Sequence, residues 1–486
     1  MIIENRITAK LNEPMLILAN FIREVGMQAA YWIGVLGYAA YGFGGDPRIV
    51  MIVMLMINFS GMIGSFVGGG IVDKIGPRKT ALWASVFVIV ICLSAVLIEG
   101  NLAAFIVFAG FFGIVTTVLN TAYTSFAPYL ERGKSGLRRV NSFLTIGTFI
   151  AAVVGPILGA IATGILPVYS VFILMAIVTG IGSFIMLVGV KEKHKPESES
   201  TQGDEEGETE SLSDLSFGET EHSKTLELEA ERETRERGIA LKDPVRVTST
   251  SIAAGTALVG RSAPKRRVKK SGPLADALEG WHVIKQSQNL RYYLLVTVAM
   301  IFGFGAFDAL EPVYFYQVLQ VDISMVGWIN AVGGTGLIIG VILLAVFPLK
   351  WVNARLLIAL LVICGLGSIA YVATTNLWWV ASGQLILGFA FGVFDPLMRT
   401  MVQADSPLKA VGRVLGTINM ISLGLLLIPL VLAPWLSILL GVQEVLILAG
   451  ALPIVFGALL YAMANKVDKD VGASGGRKIE SVSALD

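Results

Sequence analysis

The feature that most constrains this chain is a series of twelve apolar segments, each about as long as a membrane-spanning helix. A helix needs about 20 apolar residues to cross the bilayer core. Because no water in that core can satisfy a bare backbone, spanning segments of this kind are expected to be helical. Six segments precede a long polar stretch and six follow it. They lie near residues 15–43, 49–70, 80–98, 102–127, 141–164, 167–190, 291–319, 324–348, 354–373, 376–402, 412–440 and 443–464.

The composition also excludes an ordinary soluble protein, because the 486 residues are 55% hydrophobic and only 15% charged. We therefore predict an all-α membrane protein with twelve transmembrane helices in two six-helix halves. The expected organisation is an N-terminal half at 1–190, a cytoplasmic, largely disordered central loop at 191–275, a C-terminal half at 276–465 with a surface amphipathic helix, and a cytoplasmic tail at 466–486.

Charges in the short loops predict the orientation of the helices. One alternating set of loops is basic, whereas the other set offers Arg48 as its only cation. Cytoplasmic loops carry an excess of Lys and Arg, so the basic loops, both termini and the central loop are expected in the cytoplasm of a cell-membrane protein. The basic set contains Lys74, Arg78, Lys79, Arg132, Lys134, Arg138, Arg139, Lys350, Arg355, Lys409 and Arg413.

The reactive residue types argue against an enzyme. Cys92 and Cys364 both fall inside apolar segments, so neither a disulfide framework nor a metal site is expected. All three histidines lie outside those segments, which excludes an intramembrane histidine proton relay. No catalytic triad and no phosphate-binding loop is evident, which disfavours an ATP-driven pump. We expect no cofactor and no nucleic-acid partner.

The loop after the second apolar segment combines a small residue, an acid, a turn glycine and cations at fixed offsets. The small residue would let two helices approach closely, and the acid would lie near the positive end of the next helix dipole. The second glycine would supply a sharp turn, and the cations would hold the loop in the cytoplasm. These residues are Gly69, Asp73, Lys74, Gly76, Arg78 and Lys79.

This loop resembles the signature loop between helices two and three of the major facilitator superfamily of transporters. The resemblance implies two repeated six-helix halves with the substrate path between them. In the second half the equivalent loop, at 349–355, has no Gly-Asp-Gly pattern. The gate contact of this loop is therefore expected in the first half alone.

The fifth apolar segment contains Gly155, Pro156 and Gly159, where the glycine spacing permits close packing and the proline kinks or stiffens the helix. The run resembles the Gly-Pro motif in helix five of drug–proton antiporters, which implies export. Two departures weaken that comparison. Ala160 stands where a further glycine is usual, and the fourth segment lacks the charged residue, commonly an arginine, of those antiporters.

Charged residues inside apolar segments are costly and usually face a water-filled cavity. Arg23 and Glu24 lie in the inner half of the first helix and are expected to face the cavity rather than the membrane interface. Asp395 and Arg399, four residues apart in helix ten, are expected to form a structural ion pair.

Asp308 and Glu311 lie one turn apart in helix seven and therefore share a face. Full ionisation of two adjacent acids is unfavourable in a medium of low dielectric, so one of them could bind and release a proton. That property suits a proton-coupled carrier. The alternative is an outer vestibule in which bulk water keeps both acids as ordinary carboxylates.

The chain most resembles bacterial twelve-helix exporters of macrolides, chloramphenicol-like drugs and siderophores. The resemblance implies a monomeric secondary active exporter of a lipophilic or amphipathic small molecule, with proton coupling by alternating access. A proton-coupled nutrient importer of the same fold remains an alternative. Aromatic residues expected along an apolar cavity are Tyr31, Trp32, Tyr38, Phe304, Tyr314 and Trp328.

The central loop leaves two readings open. Residues 197–236 are dominated by Glu, Ser and Thr and should be largely disordered, and a basic cluster follows at 261–270. The cluster either binds anionic lipid as a tether or simply reinforces the topology of a solvated linker. The run at 274–284 has amphipathic helical spacing and is expected along the membrane surface.

Deletion of residues 197–260 separates a carrier from a non-transporting scaffold that recruits partners through this loop. A carrier should keep substrate movement, because the predicted path lies between the helical halves. The measurement is transport by the deletion variant in proteoliposomes beside the full chain. A non-transporting scaffold would instead lose its activity when the loop is removed.

Overall fold

The computed structural model describes residues 2–130, 134–190, 273–346, 353–407 and 410–483. Every regular element in these ranges is helical. The predicted central loop lies almost wholly outside the described residues, and so does most of the second-half loop at 349–355.

Twelve helices cross the bundle and are called span 1 to span 12. They are Ile2–Ala29 with its continuation to Tyr41, Pro47–Ile75, Pro77–Ile98, Leu102–Thr124, Lys134–Ile165, Ser170–Gly189, Gln288–Leu319, Ile323–Val346, Ala354–Val372, Leu377–Asp405, Val411–Leu440 and Val442–Ser483. The twelve-helix, all-α prediction is confirmed. The end of the bundle at which spans 2, 4, 8 and 10 finish is called the "basic end", and the other end is called the opposite end.

Span 1 is the least regular of the spans in the described residues. Eleven helices are long and apolar enough to cross a membrane by length and composition alone, and span 1 is not among them. A π-helical segment, Ala30–Gly37, divides it, and its first part contains Arg23 and Glu24. The helix also begins well before residue 15, where the apolar segment was expected to start.

Short polar side chains begin several spans at the opposite end. Asp46 accepts a hydrogen bond from the Arg48 amide (2.9 Å) at the start of span 2, and Asn101 and Asn376 cap spans 4 and 10 in the same way. These caps satisfy amides that have no partner within the helix. The hydrogen-bonded Arg48 guanidinium lowers the pKa of the Asp46 carboxyl below its usual value.

Glycine faces bring pairs of spans into backbone contact. A Cβ atom added to Gly388 or Gly392 of span 10 would overlap the carbonyl oxygens of Gly333 or Leu337 in span 8. Small residues allow this approach, which strengthens the dispersion contacts on which helix association in lipid depends. Span 2 meets span 4 similarly at Gly64.

The two halves contact each other at the opposite end, along spans 5 and 8, and where span 2 meets spans 7 and 11. The Tyr41 hydroxyl donates to the Val321 carbonyl (2.8 Å), and the Gln317 amide donates to the Gly45 carbonyl (3.0 Å). Both hydrogen bonds join the first half to the second half at this end. The conformation is therefore that of a bundle closed at its opposite end.

A short helix, Pro273–Gln286, precedes span 7 and packs on the start of span 11. Glu279 forms an ion pair with Arg413, and the Thr417 hydroxyl donates to the Ala277 carbonyl (3.1 Å). The Leu278 side chain stays exposed on the outer side. The run at 274–284 is thus helical, and the helix that contains it is anchored to span 11 at the basic end.

Replacement of Gly388 by alanine tests the span 8–span 10 contact. The added Cβ overlaps the Gly333 backbone, which cannot give way cheaply, so we expect a destabilisation of roughly 1–3 kcal/mol. The measurement is the thermal unfolding midpoint of the purified protein. Gly424→Ala is the matched control, because its Cβ would meet nothing within 4 Å. Equal midpoints for the two variants would contradict the packing.

Candidate functional site

A central cavity of about 610 Å³ lies between the two halves, a volume within the range of small-molecule sites. Spans 1 and 5 of the first half and spans 7 to 11 of the second half contribute its walls. Most of its wall is apolar, with Trp32, Phe149, Phe304, Phe307 and Phe391 as its large aromatic residues. None of the described lining residues carries a positive charge.

Glu311 is the most enclosed acid of this cavity, with 7% of its surface exposed. Its Oε1 atom accepts a hydrogen bond from the Tyr371 hydroxyl at 2.5 Å and a long one from the Gln384 amide at 3.5 Å. No cation lies within ion-pair distance of it in the described ranges. The carboxyl group is therefore held by neutral donors in an apolar surrounding, where its charged form is costly.

Asp308 and Asp395 are the other acids of the cavity. Asp308 is half-buried on the same face of span 7 as Glu311, which places the two predicted coupling residues together, beneath the contacts that close the opposite end. Asp395 binds Arg399 in an exposed ion pair (2.9 Å), as expected from their spacing. The cavity thus has three acids and no cation among its described lining residues.

A second polar cluster lies in the first half, around Arg23, which is only 2% exposed. The Arg23 guanidinium donates to Glu24 (2.6 Å), Asn20 (3.0 Å) and Asn120 (3.2 Å) through Nη2. The ring of Tyr123 lies 5.0 Å from its Cζ atom. The charge is therefore neutralised by Glu24 and shared with span 4, where the sequence has polar residues but no cation.

A cavity of about 370 Å³ adjoins this cluster, and Arg23 and Glu24 are among its lining residues. It shares two lining residues, Gln28 and Trp32, with the central cavity. The Trp32 indole N–H donates to the Gln28 side-chain oxygen (3.1 Å). This pair stands between the polar cavity of the first half and the apolar central cavity.

The signature loop lies at the basic end, but two of its residues differ from expectation. Gly69 faces open space, since a Cβ there would meet nothing within 4 Å, and Gly64 and Gly68 make the close approach to span 4 instead. Asp73 is exposed in the last turn of span 2, before the N-terminus of span 3, and has no partner among the described residues. Asp73 therefore lies one helical turn before the N-terminus of span 3, whose dipole was expected to stabilise its charge.

The other residues of the loop form the turn and the contact between spans 3 and 6. Gly76 has a φ of 86° and links the end of span 2 to Pro77. Arg78 donates to the Leu187 carbonyl (2.7 Å), so it ties the start of span 3 to the end of span 6. Lys74 and Lys79 are exposed at the basic end.

The helix-five glycines contact span 1. A Cβ at Gly155 would lie 2.6 Å from the Val25 carbonyl oxygen, and one at Gly159 would lie 2.7 Å from the Ile33 side chain. Pro156 lies at the contact between the halves, where its carbonyl faces Gly327 of span 8. The motif therefore places span 5 against both a neighbour in its own half and the other half.

The predicted aromatic wall is present only in part. Trp32 and Phe304 line the central cavity, and Tyr31 lines the smaller one. Trp328 points outwards and is 44% exposed, whereas Tyr314 bonds to the Thr374 carbonyl (3.2 Å). Tyr38, the remaining candidate, lines neither of these two cavities. Its hydroxyl accepts a hydrogen bond from the Gly100 amide (2.9 Å). Helical aromatic stripes do not distinguish packing positions from cavity positions.

Sequence reasoning missed the residues that hold the charged groups. Tyr371, Gln384 and Asn120 are single polar residues in other spans, and each meets its acid or cation only through the fold. The one available signal was their polarity in otherwise apolar helices.

Comparisons with known proteins agree with this architecture. The sequence model of the Major Facilitator Superfamily matches residues 16–429. No curated protein sequence matches the chain. Similar solved structures include a POT family transporter in complex with 5-aminolevulinic acid, 14% identical, with a TM-score of 0.61 over 94% of this chain and 96% of that one. A variant of the nucleoside transporter NupG is 10% identical, with a TM-score of 0.62 over 93% and 99%. At these identities the likeness shows the fold alone.

Replacement of Asp73 by asparagine tests the signature loop as a gate. Because the side chain is exposed and unpartnered in this conformation, insertion and folding should be unchanged, while transport should fall severalfold if another conformation uses the charge. The measurement is the transport rate per inserted protein. Glu99→Gln, which neutralises an exposed acid at the opposite end, is the control. A wild-type rate in Asp73→Asn would show that this loop does not gate.

Proposed function

Because the chain belongs to the major facilitator superfamily and is a transporter rather than an enzyme, we propose that it moves an amphipathic small molecule by alternating access, coupled to protons. The two halves would rock about the central cavity and expose it to each side of the membrane in turn. In the cell membrane, with the basic end in the cytoplasm, the described conformation would be the one closed to the outside.

The observation that carries this proposal is the environment of Glu311. Its carboxyl lies in an apolar cavity between the halves, without a cation, and is held by neutral donors. An acid so placed can exist in both protonation states, and the state it adopts can depend on which side of the membrane the cavity faces. Asp308, on the same face, disfavours full ionisation of the pair.

The cavity wall indicates the class of solute. Aromatic side chains such as Phe304 and Phe391 bind apolar bodies, and their faces attract cations. Excess acid and the absence of lining cations favour neutral or positively charged solutes over anions. We therefore propose lipophilic or amphipathic compounds of the drug or siderophore class as the solutes. The resemblance of the span 5 motif to that of drug–proton antiporters favours their export, by a monomer that exchanges them for protons.

Import of a nutrient together with protons is the second candidate. The similar solved structures include a POT family transporter bound to a thioalcohol-conjugated peptide, with 13% identity and a TM-score of 0.60 over 94% of this chain and 96% of that one. Such a solute needs more polar partners than the central cavity offers, but the polar cavity beside Arg23 could supply them. The two candidates differ in the direction in which the solute moves relative to the protons.

The deciding experiment is a solute panel in proteoliposomes with imposed pH gradients. Ethidium and chloramphenicol represent lipophilic cations and neutral amphipaths, and a dipeptide and a nucleoside represent nutrients. We expect a proton gradient to drive ethidium or chloramphenicol against the direction of proton flow. Saturable movement of the dipeptide or nucleoside with the protons would favour the importer. A pH gradient that moves none of the four would contradict proton-coupled transport of these classes.

Neutralisation of the span 7 acids tests the coupling residues. We expect Asp308→Asn or Glu311→Gln to abolish accumulation driven by the pH gradient, because the carboxyl that binds and releases the proton is lost. Exchange of solute between the two sides should persist, since it requires only that the cavity alternate.

The measurement compares gradient-driven accumulation with solute exchange in the same proteoliposomes. Asp395→Asn is a useful comparison, because it neutralises a cavity acid that already has a cation partner. If Asp308→Asn and Glu311→Gln both retain accumulation, the coupling site is elsewhere, and Glu24 is the next acid to test.

A further inference from the structure

Tyr371 is the only residue of span 9 among the described residues that line the central cavity. Its side chain is 1% exposed and reaches from the end of span 9 to Glu311 in span 7. We propose that Tyr371 is a positioning residue that holds the carboxylate of Glu311 and sets the pH at which this acid gives up its proton. The inference deepens the proposed function and rests on Glu311 as its proton site.

The backbone around Tyr371 is fixed from several sides. A Cβ at Gly383 of span 10 would overlap the backbone of Tyr371, so only glycine lets span 10 approach this closely. At the next residue, the Gln443 amide of span 12 donates to the Val372 carbonyl (2.8 Å). The backbone that carries the phenol of Tyr371 is therefore held in place.

The ring is held as firmly as the backbone. It stacks on Phe307 at a centroid distance of 6.0 Å and meets Phe315 at 6.4 Å. With ring and backbone both fixed, the hydroxyl has little freedom other than rotation about its C–O bond. Because the Tyr371 side chain is already ordered, its short hydrogen bond to Glu311 costs little further side-chain entropy.

A donor at this position acts differently on the two protonation states of Glu311. Hydrogen bonds to an ionised acceptor are shorter and about twice as strong as those between neutral groups. The Tyr371 bond, at 2.5 Å, therefore favours the carboxylate over the acid. It opposes the apolar wall, which favours the acid.

The other groups around Glu311 cannot replace this donor. Span 10 offers Gln384 at 3.5 Å, which is too long for a strong bond. The polar side chains that spans 1 and 8 present to the cavity are the neutral amides of Gln28 and Asn330 and the indole of Trp32, and spans 5 and 11 present apolar side chains. The remaining titratable groups among the described lining residues are Asp308, whose charge acts against ionisation of Glu311, and Asp395, whose charge is paired with Arg399.

Infrared titration of the purified protein tests the proposal without any substrate. The carbonyl stretch of the protonated Glu311 side chain is assigned by its absence in Glu311→Gln, and its intensity is followed against pH. In Tyr371→Phe we expect the midpoint to move to higher pH by about one unit or more, as loss of a hydrogen bond to a charged group implies. The same displacement should appear in the pH profile of proton-driven transport.

Tyr292→Phe is the matched control, because it removes another buried hydroxyl bond between spans 7 and 9, to the Ala354 carbonyl (3.1 Å). It should leave the midpoint unchanged. If Tyr371→Phe does not fold, site-specific 3,5-difluorotyrosine at position 371 keeps the shape and strengthens the donor, so the midpoint should move to lower pH.

An unchanged midpoint in Tyr371→Phe or in the difluorotyrosine protein would overturn the proposal, and so would an equal displacement in Tyr292→Phe. The titration does not depend on transport. If the wild-type protein moves no solute under a proton gradient, the proposed function is wrong. An unchanged midpoint would contradict only the role of Tyr371.

Discussion

Helices inside a bilayer gain little from the hydrophobic effect when they associate, because lipid tails are as apolar as their side chains. The bundle therefore depends on close backbone contact. Gly388 and Gly392 bring span 10 against span 8, and Gly155 brings span 5 against span 1. These contacts fix the cavity walls, since Gln384 and Phe391 lie on the same helix as the span 10 glycines. The positions of these glycines therefore determine the shape of the cavity.

Charges in such an interior are handled in two different ways by the two halves. In the first half, Arg23 and Glu24 neutralise each other, and Asn20 and Asn120 share the guanidinium. In the second half, Glu311 has only neutral donors. Removing one member of a buried ion pair leaves an uncompensated charge, so the first arrangement is suited to keeping the same charge state throughout. An acid without a cation can change its charge at lower cost, so the second is suited to a cycle.

Much of the architecture could be predicted from the sequence because it depends on local properties. Segment length and hydropathy predict the spans, and the i, i+4 spacing predicts the Asp395–Arg399 pair. The one-turn spacing of Asp308 and Glu311 places them on one face. The contacts of Glu311 could not be predicted, since Tyr371 and Gln384 lie 60 and 73 residues away along the chain. Gly69 was misjudged for a related reason, because the face of a helix that meets a neighbour depends on how the helices pack.

The different handling of charge in the two halves has an electrical consequence. A neutral pair such as Arg23 with Glu24 carries no net charge through the membrane field when a half rocks. An ionised Glu311 without a counter-ion does carry charge, unless a bound proton or cationic solute cancels it. Each uncancelled charge that crosses the full field is worth about 2.3 kcal/mol per 100 mV. The membrane voltage would then act differently on the empty and on the loaded carrier. It could drive the conformational change of the charged form and have no effect on that of the neutral form.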